Sequence, residues 1–184
     1  MFKNYDIRGI YPKEINEKVA SFLAYKFYLY LKNKRVSKEI FLGIDPRKSS
    51  INIANAFANS YLNLPQTKIT YLGIIPSPIF YFRCIKYKKA GVMITASHLP
   101  ENYNGFKFML PNGLIWVYKG KLKTLDTVQE RIKIKYKEIY LKNIFESYIN
   151  DLKKFYKLAK KHYINFKSET KSPNYFLLKN LSNV

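Results

Sequence analysis

The sequence predicts an α/β protein: a three-layer α/β/α domain around a mixed, largely parallel sheet of about four strands, followed by a helical C-terminal segment. Three observations carry this expectation. Helical and strand patterns alternate over the first two-thirds of the chain, the mark of βαβ units with right-handed crossovers. The strand candidates are short apolar runs bounded by charges, Pro or Gly, as expected of buried strands. The last third holds Lys-rich amphipathic patterns and no convincing further unit.

The elements follow in order. In Glu14–Lys32 the apolar residues Val19, Phe22, Leu23, Phe27, Tyr30 and Leu31 recur at helical spacing. Glu39–Asp45 is a buried strand, and Ser49 and Ser50 then offer N-cap hydroxyls to a helix over Ile51–Leu62. Lys68–Ile74 is a second strand. The segment Pro76-Ser77-Pro78 opens a helix reaching about Lys88, proline being tolerated in a first helical turn. Ala90–Thr95 and Phe106–Leu110 are the third and fourth strands, and Pro111-Asn112-Gly113 turns the chain back along Leu114–Tyr118. Thr124–Lys137 and Asn143–Tyr163 read as Lys-rich amphipathic helices. This places one domain over residues 1–120 and a linker with the helical start of an incomplete second domain over 121–184.

Composition narrows the classes. Forty-seven per cent hydrophobic residues can build a core. The N-terminus carries no signal-peptide pattern, and the apolar-rich stretch Ile69–Phe82 is too short and too proline-broken to span a bilayer. One cysteine, Cys84, excludes an internal disulfide and suits a reducing cytoplasm. The net charge of +21 is spread along the chain, and only five of its 33 basic residues are Arg. Arginine is the residue favoured for bidentate phosphate and base contacts, so no nucleic-acid partner is expected. A positive surface also suits anionic small molecules.

Ligands of open α/β sheets collect beyond the carboxyl ends of strands, which directs attention to the loops after Asp45 and Thr95. The second runs Thr-Ala-Ser-His-Leu-Pro-Glu-Asn-Tyr-Asn-Gly-Phe-Lys, displaying Ser97, His98 and Lys107. Singly these are weak signals. No acid lies within two residues of Ser97 or His98 to suggest a triad, and Gly-x-Ser-x-Gly is absent. Two histidines and no paired Cys or Asp ligands do not support a zinc site.

The combination is more specific. Thr95–Phe108 resembles the phosphoserine loop of the α-D-phosphohexomutases, the phosphomannomutase and phosphoglucomutase superfamily. Phe2–Pro12 is similar to that family's Tyr-Asp-Ile-Arg-Gly signature, Gly43–Ser50 to its Gly-x-Asp-x-Arg-x-Ser-Ser turn, and Gly73–Phe82 to its Gly-x-x-Pro-Thr/Ser-Pro segment. The resemblance covers roughly residues 1–118, the first of four family domains. It implies an intramolecular phosphotransferase in which Ser97 carries the phosphoryl group between the 1- and 6-positions of a hexose phosphate. Splitting the isomerisation into two positioned transfers lowers its difficulty. It further implies Mg²⁺ held through the Ser97 phosphate, Lys107 and Arg8 as cationic and proton-handling residues, and His98 and Tyr5 as contacts to the sugar or the loop. Asp45 and Arg47 are expected to brace the sheet end.

The departures are equally legible. The loop's usual Asn is Leu99, which lacks that side chain's hydrogen bonds. The usual basic residue of the Gly-Arg-Asp turn is Ile44, and no Asp-Gly-Asp-Gly-Asp-Arg metal loop is present. Nor are the family's Gly-Glu-x-Ser-Gly sugar loop and Arg-x-Ser-Gly-Thr-Glu-Pro phosphate loop. Turnover is therefore expected to need the missing domains, supplied by a second chain if need be. The alternatives are a noncatalytic remnant or sugar-phosphate-binding module and, further off, a basic nucleic-acid-binding domain.

Overall fold

The computed structural model describes residues 2–3, 6–121 and 139–169. The chain divides after Ile144 into two compact units. The first contains β1 (Phe2–Lys3), β2 (Asp6–Ile10), α1 (Glu17–Asn33), β3 (Glu39–Ile44), α2 (Lys48–Leu62) and β4 (Lys68–Ile74). It continues with α3 (Ser77–Lys86), β5 (Ala90–Ile94), β6 (Tyr103–Met109) and β7 (Ile115–Trp116). Helix α4 (Ile139–Glu169) supplies all the described residues of the second unit.

The seven strands form one sheet in the order β1-β2-β6-β5-β3-β4, with β7 pairing β6. Its heart is parallel, β3 lying between β4 and β5, while the remaining pairings are antiparallel. The α/β class therefore holds, with a sheet larger than the four or so expected strands and less dominated by parallel pairs. The addition that matters is β2. Its five residues carry charges at Asp6 and Arg8, and these disguise a strand whose alternate residue, Ile7, is buried in the core.

Right-handed crossovers explain the layers. The chain steps outward from β3 to β4, then back across β3 to β5, and equal handedness in opposite directions puts the two helices on opposite faces. On one face α1 and α2 cover an aromatic core in which Phe27, Phe57, Phe106, Phe108 and Trp116 meet edge-on, tilted or stacked. Each such fully buried side chain contributes about 1.5–3 kcal/mol. On the other face α3 seats Phe80 and Cys84 so close to β5 that a Cβ on Gly91 would lie 2.8 Å from both. Only a bare strand admits the helix there.

Helix starts depart from the sequence reading. Asn16 caps α1 by accepting from the Val19 N–H at 3.0 Å. In contrast, Ser49 and Ser50 do not cap α2: the helix begins at Lys48, and Arg47 occupies the cap without a side-chain bond. The Ser50 hydroxyl is drawn away, donating to Asp45 Oδ1 at 2.5 Å. Helix α3 begins as expected around Pro78 but ends at Lys86. The helix expected over 124–137 lies outside the described residues.

Within α4 the exposed apolar residues Phe145, Ile149, Leu152 and Tyr156 recur at helical spacing, with Lys153, Lys157 and Lys160 along one flank of that stripe. No described helix is long and apolar enough to cross a membrane.

Candidate functional site

The parallel heart of the sheet fixes where a ligand can sit. From β3 the chain leaves toward β4, and from β5 toward β6, in opposite directions across the sheet. The two loops diverge beyond neighbouring carboxyl ends and leave a crevice at this switch point. A cleft of about 860 Å³ opens there, lined by Asp45, Arg47, Met93, Thr95, Ser97 and His98 among others.

Ser97 stands at the rim with φ of 59°, a left-handed backbone rare for a non-glycine residue. Three kinds of contact hold it. Its N–H donates to the Thr95 hydroxyl at 2.8 Å. Its carbonyl accepts from Arg47 Nη2 at 3.0 Å. The following turn closes through the Leu99 N–H, which donates to the Ala96 carbonyl at 3.2 Å. The Ser97 hydroxyl lies 3.4 Å from His98 Nδ1 and is otherwise directed to solvent among the described contacts.

Arg47 does more than brace the sheet end. Its Nε pairs with Asp45 at 2.9 Å. Its two Nη groups donate to the carbonyls of Ser97, Leu99 at 2.6 Å, Pro100 and Tyr103 at 3.1 Å. The loop's exit is anchored by buried Asn104, whose amide donates to the hydroxyls of Ser49 and Ser50 at 2.8 and 3.0 Å. The hydrogen bonds that an Asn at position 99 would supply are thus not needed to shape this loop. It is held by backbone carbonyls, which Leu99 retains.

The remaining expected residues are distributed unevenly. Arg8 does not line the main cleft. It lines a neighbouring one of about 490 Å³ on the far side of the loop, with Leu99, Pro100 and Tyr103. Its guanidinium is committed to Asp6 through Nε at 2.7 Å and through Nη2. Lys107 sits opposite Met93 in the β5–β6 register, so the two side chains leave the same face of the sheet. Its ammonium lies 5.9 Å from the centre of the Tyr81 ring. Burial first, and then the charge of Arg8, hold Lys107 below the ordinary lysine range, with Asp6 opposing. Tyr5 lies outside the described residues.

Two residues near Lys107 escaped the sequence reading. Asp6 is buried, and its Oδ1 has no hydrogen-bond partner among the described residues. Tyr81 is pushed above the ordinary phenol range by burial and by the Asp6 carboxylate. Nothing in the order of residues marks Tyr81, because only the packing of α3 on β5 and β3 brings it near Lys107. The resident residues do not by themselves fit a divalent cation. No set of three His, Cys, Asp or Glu side chains converges among the described residues, and Asp45 is already occupied by Arg47 and Ser50.

A doubly covered α/β sheet presenting a constrained serine at its switch point defines a ligand-handling α/β/α domain. The chain belongs to the phosphoglucomutase/phosphomannomutase family, whose alpha/beta/alpha domain I matches residues 1–130. It is 32% identical over 160 residues to a phosphomannomutase of Methanocaldococcus jannaschii, covering 85% of this chain and 34% of that protein. A phosphoglucosamine mutase of Clostridium kluyveri is 34% identical over 141 residues, covering 76% of this chain and 30% of its own length. A structure from Thermus thermophilus, described as a phosphomannomutase, superposes with a TM-score of 0.56 at 28% identity, over 61% of this chain and 26% of that one. The chain thus spans about a third of the length of the curated relatives it matches.

Proposed function

We propose that this chain is the phosphoryl-carrying first domain of a phosphohexomutase, with Ser97 as the carrier. Phosphoserine 97 passes its phosphoryl group to a free hydroxyl of a hexose phosphate. The new P–O bond forms as the Oγ–P bond breaks, and the sugar hydroxyl gives up its proton. The resulting bisphosphate reorients and returns a phosphoryl from its other position to Ser97, leaving the isomeric monophosphate. The relatives are named for mannose and glucosamine phosphates, so the substrate class is the hexose phosphates.

The observation that carries this reading is the conformation of Ser97. A left-handed serine, held by Arg47 and Thr95 at a switch-point cleft, is a hydroxyl presented for chemistry at a structural cost. Lys107, with its cationic form disfavoured by burial, is suited to proton transfer. Arg8 supplies fixed positive charge and His98 orients the hydroxyl or meets the sugar. Mg²⁺ would neutralise charge on the transferring phosphoryl group, but it needs donors that the described residues do not gather. The remaining family domains, on this or a second polypeptide, are the proposed source of those donors and of the sugar contacts.

The test is phosphoryl uptake from a hexose 1,6-bisphosphate, with Mg²⁺ and the remaining family domains supplied as a second polypeptide, read by intact mass and peptide mapping. Phosphate on Ser97, lost in Ser97→Ala, is expected, and mixing with the missing domains is expected to restore turnover. Binding of hexose phosphate without phosphate ever reaching Ser97 would replace this reading with a noncatalytic binding module.

A further inference from the structure

Arg47 has no part in the transfer described above, yet among the described residues no other side chain makes so many bonds to the Ser97 loop. An arginine offers five N–H donors in a rigid fork, and all five are committed. Nε donates to Asp45, Nη1 to the Pro100 and Tyr103 carbonyls, and Nη2 to the Ser97 and Leu99 carbonyls. The four carbonyls come from both limbs of the loop, at its entry and at its exit. We infer that Arg47 is the positioning residue of the Ser97 loop, tying its two limbs into a closed ring that presents the serine hydroxyl, and that it does not bind the phosphoryl group.

Three observations converge on this role. With every donor spent, the guanidinium has none left for a phosphate oxygen, although it lines the cleft. Its charge is met by Asp45, which mutes its pull on an anionic ligand. A left-handed non-glycine residue persists only where its surroundings over-determine it, and the Arg47 bond to the Ser97 carbonyl is one of the few restraints that act on it directly. Charge-assisted bonds to carbonyls are stronger than neutral ones, so one side chain can hold a loop whose residue 99 contributes no polar side chain. Lysine cannot substitute, being a point charge without the fork.

This inference rests on Ser97 being the phosphoryl carrier, and the experiment separates the two claims. Amide hydrogen exchange is measured on the full chain without ligand for wild type, Arg47→Lys and Arg47→Ala, alongside Ser97 phosphoryl uptake from a hexose 1,6-bisphosphate in the presence of Mg²⁺ and the remaining family domains. Arg47→Lys keeps a cation opposite Asp45 and is the variant most able to fold. In both variants residues 97–103 are expected to exchange at least ~10-fold faster, while β3, β4 and β5 keep their protection. Uptake is expected to fall about 100-fold. Guanidinium ion below denaturing concentrations is expected to restore part of it in Arg47→Ala but not in Arg47→Lys.

Unchanged loop exchange in either variant, wild-type uptake in Arg47→Lys, or loss of protection across the whole sheet in both variants would overturn the inference. If wild-type protein mixed with the remaining family domains and Mg²⁺ takes up no phosphoryl group, the carrier reading falls, and the exchange pattern alone still decides the role of Arg47.

Discussion

The backbone N–H of Ser97 donates to the hydroxyl of Thr95 at 2.8 Å, so the first residue after β5 also sets the conformation of the serine two positions on. Thr95 is 3% exposed, and valine would fill its volume without its oxygen. Thr95→Val is expected to cost about 1 kcal/mol of stability, to lower Ser97 phosphoryl uptake more than that cost implies, and to be rescued by Thr95→Ser. Denaturant melts with intact-mass phosphorylation assays check all three.

Lys107 supplies a pH signature. Its lowered affinity for protons in the fold means that the unfolded chain binds more protons between the lowered value and the ordinary lysine value of about 10.4. Stability contributed by this residue therefore rises with pH through that window and is smallest below it. Lys107→Met is expected to be more thermally stable than wild type at neutral pH. The difference between the two proteins should narrow as pH approaches about 10.4. A difference that stays constant with pH contradicts the assignment.

Gly105 is required by a strand contact rather than by a turn. A Cβ there would lie 2.2 Å from the Ile7 carbonyl oxygen and 3.1 Å from the Arg8 Cα, both backbone atoms of β2. Gly105→Ala is expected to cost about 3 kcal/mol or more and to loosen β2 from β6. The check is equilibrium unfolding together with faster amide exchange confined to residues 6–10.

Cys84 is buried, and burial pushes its thiol up to about 12. Neutral thiols are poor nucleophiles. Iodoacetamide at pH 8 is expected to leave the native protein unmodified and to label it stoichiometrically once denaturant unfolds it. Rapid labelling of folded protein counts against the packing of α3 on β5.

The helices and the parallel strands were legible because periodicity survives without partners. Leu23, Phe27 and Leu31 repeat on one stripe of α1, and Glu39–Ile44 is a run that both faces of the sheet cover. The four strand-to-loop motifs also placed Ser97 and His98 together. Strand β2 was not legible, because Asp6 and Arg8 satisfy each other on one face and so resemble a loop. The two α2 serines looked like caps until Asp45 and Asn104, the latter 54 and 55 residues away, claimed their hydroxyls. Arg47 reaches carbonyls 50 to 56 residues ahead, a relationship that only the juxtaposed ends of β3 and β5 create. The division of Ser97 and Arg8 between two clefts has the same origin.

The left-handed backbone of Ser97 also selects the chemical identity of the residue there. Threonine carries the same oxygen nucleophile on a carbon one methyl richer, and in solution chemistry the two alcohols differ little. A β-branched side chain at φ of 59°, however, is a steric outlier. A hydroxyl carrier at this turn is consequently serine by backbone geometry before reactivity is considered. Ser97→Thr should behave as a loss of the loop's shape rather than as a conservative exchange.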